Sequence, residues 1–99
     1  MKVINLEELK LDEASEVFYE VEEFSGRVIE LPAGGSMPPC EMDSYVLFYV
    51  ISGEIEVTVG EDKTILKEGS SMVTEPATLS METGEGVRIL GVQVATIEA

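Results

Sequence analysis

Few side chains in this chain could do chemistry, and their types limit what that chemistry could be. There is no histidine among the 99 residues, so no imidazole is present to bind a metal or to shuttle protons near neutral pH. Cys40 is the only thiol. A nucleophilic thiolate needs a nearby base or cation to lower its pKa. The neighbours here are Glu41 and Asp43, which oppose ionisation. Tyr45, Tyr49, Glu41, Asp43 and Glu82 could move protons. No pairing or spacing singles them out, and each fits a solvated place on a strand surface. No catalytic residue is assigned on these grounds.

Charge narrows the range of partners. Six Lys and Arg against twenty Asp and Glu leave a net charge of −14. Such a surface repels phosphate backbones and anionic headgroups, which argues against nucleic acid and against membranes. A single cysteine allows no intrachain disulfide. The amino terminus meets Glu7 and Glu8 before any apolar run develops, unlike a secretory signal. No apolar stretch reaches the length of a membrane span. The expected location is the cytoplasm, and the length suits one domain with a modest core.

The elements that must position these side chains are short strands. Residues 1–16 read as an extended N-terminal segment, Val3 to Leu6, running into an acidic turn region; residues 17–97 read as a barrel. Val17, Tyr19 and Val21 alternate with Phe18, Glu20 and Glu22, and Ser25-Gly26 reads as a turn into Arg27 to Leu31. Pro32 to Gly35 is a breaker. Tyr45 to Ile51 is an unbroken apolar run rich in aromatic and β-branched residues, and Ser52-Gly53 is expected to turn it back. Ile55, Val57 and Val59 then alternate with Glu54, Glu56 and Thr58, as in a strand with one wet face. Thr64 to Leu66, Ser71 to Thr74, Leu79 to Glu82 and a last strand from Val87 to Ile97 follow, with Gly69, the breaker Glu75-Pro76-Ala77 and the connection Thr83 to Gly86 between them. Many short strands with close turns predict an all-β sandwich or barrel.

The span from Gly35 to Met81 resembles the cupin superfamily in its small single-domain form. The family's first motif places His-x-His and a Glu between two glycines. Anchored on Gly53, the histidine positions fall on Cys40 and Met42 and the glutamate position on Val46, with Gly34 or Gly35 near the leading glycine. The second motif falls on Gly69, Pro76-Ala77-Thr78 and Met81, where Thr78 stands for a glycine and Met81 for a histidine. The resemblance implies a double-stranded β-helix, or jelly-roll barrel, of about ten short strands with its metal-binding positions replaced. On one regular strand Cys40, Met42, Val46, Phe48 and Val50 would share the inward face, opposite Tyr45, Leu47, Tyr49 and Ile51.

Three functions follow as expectations. The leading one is a metal-free barrel, without cofactor, that binds a small apolar or aromatic molecule or serves regulation. Its pocket is drawn from Met37, Cys40, Met42, Val46, Phe48, Met72 and Met81. The first alternative is copper, as Cu(I), on the soft sulfurs of Cys40, Met42 and Met81. Against it, methionine fills irregular gaps and buried cysteine packs as a small hydrophobe. The second alternative is a divergent metal-dependent enzyme, a dioxygenase or isomerase, whose carboxylate ligands strand parity does not provide. The apolar stripe Tyr45, Leu47, Tyr49 and Ile51 would be partly covered within the chain, and its remainder points to a homodimer.

Overall fold

The unbroken run from Tyr45 and the alternating run to Val59 prove to be one strand. In the computed structural model, which describes residues 1–94, the chain forms β1 (Ser15–Glu20), β2 (Phe24–Leu31), β3 (Ser36–Met42), β4 (Tyr45–Val59), β5 (Asp62–Lys67), β6 (Ser71–Thr74), β7 (Ala77–Glu82) and β8 (Val87–Val94). Eight strands rather than about ten are present among the described residues, because β4 alone takes 15 residues. Residues 95–97 of the expected last strand lie outside the described residues.

All pairing is antiparallel. The first half of β4 pairs with β8 on one side and β6 on the other, and β2 and β1 continue from β8. Its second half pairs with β7 and β5, and β3 continues from β7. The result is an all-β fold, two curled sheets with β4 common to both.

Ser52-Gly53 is therefore a corner within β4, not the expected turn back. Gly53 sits at φ +85°, and a Cβ there would meet the carbonyl oxygen of Gly86 at 2.1 Å. Only glycine allows the strand to pass this close while it changes sheets. The expected turn at Ser25-Gly26 is also displaced, to residues 21–23. Gly26 lies inside β2 because the Phe18 ring covers it, 2.8 Å from where a Cβ would stand.

Inward side chains of both sheets make the core. Ile29, Val46, Phe48, Val50 and Ile89 come from the first sheet, and Ile55, Val57, Leu66, Leu79 and Met81 from the second. Each such side chain stabilises the fold by about 1.5–3 kcal/mol when fully buried. Thr83 is buried and fully used: its hydroxyl donates to Glu54 O at 2.6 Å and accepts from Gly86 N at 3.0 Å.

The N-terminal segment crosses the outer face of the first sheet. Asn5 caps a single turn, its Oδ1 accepting from the backbone N–H of Glu7 and Glu8. Arg88 then ties the segment down. Its Nε donates to Leu6 O at 2.7 Å, Nη2 donates to Leu9 O, and Nη1 reaches Glu30 Oε2 at 2.8 Å. At the other end Lys2 Nζ donates to Phe18 O at 2.6 Å.

Gly53→Ala should lower the midpoint of urea unfolding sharply, by a stability loss of about 3 kcal/mol or more, since the clash is with backbone. Gly60→Ala, at φ +61° with open space around the new methyl, should cost only about 1–2 kcal/mol. Equal effects of the two substitutions would contradict the corner.

Candidate functional site

The space between the sheets is not filled along its whole length. A cavity of about 290 Å³ remains, walled by Arg27, Ile29, Val46, Phe48, Gly91 and Gln93 from the first sheet and by Met37, Pro38, Cys40, Met42, Leu79 and Met81 from the second. It falls just below the size range of ligand pockets, roughly 300–1,000 Å³. Val46, Phe48, Leu79 and Met81 are buried, Met37 and Met42 half-buried, and Cys40 exposed at the rim.

Six of the seven residues expected to form a pocket meet here: Met37, Cys40, Met42, Val46, Phe48 and Met81. The seventh, Met72, stands on β6 opposite Phe48 and packs half-buried against the core without lining the cavity. The six come together for a reason other than the one expected. Cys40 and Met42 are on β3, Val46 and Phe48 on β4, and a break at Asp43-Ser44 separates them. They meet across the gap between two sheets, not along one regular strand. Pro38 and Pro39 sit where the β3–β7 register shifts between Met37 and Cys40, so this edge is irregular.

Sequence reasoning missed Ile29, Pro38 and Leu79 and, more consequentially, Arg27, Gly91 and Gln93. The signal was present in parity: Arg27 is in phase with Ile29 and Leu31, and Gly91 and Gln93 are in phase with Val87 and Ile89. Arg27, at the start of the expected strand Arg27 to Leu31, shares the inward phase although it is charged. Glu41, Asp43, Tyr45 and Tyr49 are exposed and do not line the cavity, and neither does Glu82.

A cupin-domain family model matches residues 27–79, a little over half the chain, and the chain belongs to the cupin family. Solved structures agree in fold. A protein of Thermus thermophilus superposes with a TM-score of 0.85 at 20% identity, covering 95% of this chain and 97% of that one. An RmlC-like cupin of Desulfovibrio desulfuricans gives 0.83 at 20% identity over 95% and 96% of the two chains. The Cnp3 cupin domain of Schizosaccharomyces pombe gives 0.81 at 23% identity, covering 93% of this chain and 72% of that one. No curated protein matches the sequence.

Cupins are expected to hold a divalent ion with imidazole and carboxylate, and the donors in this cavity do not fit one. Cys40, Met42 and Met81 offer thiol and thioether, and Val46 offers only hydrocarbon. Among the described residues no three His, Cys, Asp or Glu stand together as a metal site.

Val46→Glu introduces one carboxylate and should still take up no manganese, iron or zinc when each is added, as read by elemental analysis after gel filtration. It should also lower stability by about 2 kcal/mol or more, because Val46 is only 2% exposed and the new carboxylate loses its hydration. A stable variant that retains one divalent ion per chain would overturn this account of the lumen.

Proposed function

We propose that this cupin is a metal-free barrel that binds a small apolar or aromatic molecule, in a binding or regulatory role and not as an enzyme. Its metal-binding positions are read as replaced by Cys40, Met42, Val46 and Met81. The observation that carries this reading is the cavity wall itself, built from Phe48, Val46, Leu79 and three methionines. Flexible thioethers mould to varied apolar shapes and make favourable contacts with aromatic rings. The proposed location is the cytoplasm, consistent with the acidic surface.

Methionine-methyl NMR tests it. Titration with toluene should shift the methyl signals of Met37, Met42 and Met81. Met42→Trp, which fills the rim, should abolish the response in a protein that unfolds at a similar temperature. Unmoved methyls at saturating toluene would defeat the proposal.

A second reading rests on the sulfurs of Cys40, Met42 and Met81 lining one cavity. It assigns Cu(I) to them. Copper at about one per chain in protein purified without a metal column, lost in Cys40→Ser, would replace the first reading.

We further propose a homodimer through the outer face of the first sheet. The register sets Val73, Leu47 and Val92 in one row, Tyr45, Val94 and Phe24 in the next, and pairs Tyr49 with Leu90. Val73 is 67% exposed and Tyr45 46%. None of these eight side chains carries charge, in a chain of net charge −14. Two copies could approach through this face without bringing carboxylates together. Sedimentation should give a dimer for the native chain and a monomer for Leu47→Glu; a native monomer at high concentration would refute it.

A further inference from the structure

Arg27 is the one charged side chain among the described residues that line the cavity. Strand phase puts it there: on β2 it stands between Val17 of β1 and Gly91 of β8. Gly91 leaves room for the stem, since a Cβ on it would lie 3.4 Å from Arg27 Cγ and 3.2 Å from the Phe48 ring. The guanidinium is only partly satisfied. Nη1 donates to Ser15 Oγ at 3.3 Å and Nη2 donates to Gln93 Oε1 at 3.2 Å. Nε is buried and has no partner. No carboxylate forms an ion pair with Arg27 among the described residues.

This arrangement is expensive if packing is the only purpose. An apolar residue in the same phase would complete the core without a permanent charge or an orphaned donor. Both costs fall away if a small turn of the side chain uncovers Nε and sets it with Nη2 against an anion in the cavity, the two parallel donors that match a carboxylate. The rest of the wall selects the kind of anion. One cation and two neutral partners suit a single negative charge, whereas the second charge of a phosphate monoester would face hydrocarbon and thioether.

The geometry points to a small monocarboxylic acid with an apolar or aromatic body as the ligand of this cavity, its carboxylate seated on Arg27 and its body against Phe48. This inference rests on the small-molecule reading above and names the class of molecule. The net charge of −14 repels anions at long range, and salt screens that field. The preference must therefore come from short-range contact with Arg27.

The test titrates the full chain with three probes of one shape: benzoate, benzamide and toluene. Benzoate should bind roughly ten- to hundredfold more tightly than benzamide, the range expected of charge-assisted hydrogen bonds to a desolvated group. In the native protein the Arg27 Nε–H resonance should move downfield with benzoate and stay put with toluene. Arg27→Met should lose the preference for the acid, its benzoate-to-benzamide ratio falling to about one, and Arg27→Lys should keep only part of it. If Arg27→Met does not fold, the native benzoate-to-benzamide ratio and the Nε–H shift decide alone. Toluene binding with no preference for benzoate overturns this inference and leaves the apolar pocket standing. Failure of all three probes overturns both. An acid preference that survives in Arg27→Met also refutes the assignment.

Discussion

The two sheets are joined through β4, whose hydrogen bonds belong to one sheet before Gly53 and to the other after it. A shared strand cannot slide relative to either partner set without breaking a ladder. The separation of the two inner faces is therefore set by the bend at this one residue. Its contact with Gly86, at the entry to β8, locks the bend from the opposite side. The cavity lined by Phe48 and Met81 lies between surfaces whose spacing depends on this corner.

Within that frame the interior is divided by side-chain volume. Val50, Ile55, Val57, Leu66 and Val87 are buried and do not line the cavity. Where β3 carries two prolines and a shifted register, the facing strands stop meeting closely and a cavity remains. Its wall combines adaptable methionine with one guanidinium held at two corners by neutral oxygens. Such a site supplies non-directional attraction over most of its surface and one directed, charged contact.

The outer face of the first sheet shows the converse problem. Side chains opposite the lumen are also apolar, and the N-terminal segment covers only some of them. Arg88, with its side chain 11% exposed, anchors that segment and makes the cover possible. Ile51, expected to be covered from within the chain, is 8% exposed and lies beside Val3 to Glu7. The cover comes from this segment and not from the second sheet. Tyr45, Val73 and Val94 lie beyond its reach and stay exposed.

Strand character, the alternation of Ile55, Val57 and Val59, and the membership of the cupin family were legible in the residues, because hydrophobic period and glycine spacing are local properties. So was the apolar nature of Met37, Cys40, Met42, Val46, Phe48 and Met81, which follows from residue type. What local pattern could not decide was continuity and pairing. Ser52-Gly53 looks the same whether a strand turns back or bends through a corner, and Ser25-Gly26 looks like a turn until Phe18 is seen lying over it. The significance of Arg27 was hidden for the same reason. Its phase was readable, but whether its charge meets solvent, a carboxylate or an apolar cavity depends on strands distant in sequence, which only the closed arrangement of the sheets brings together.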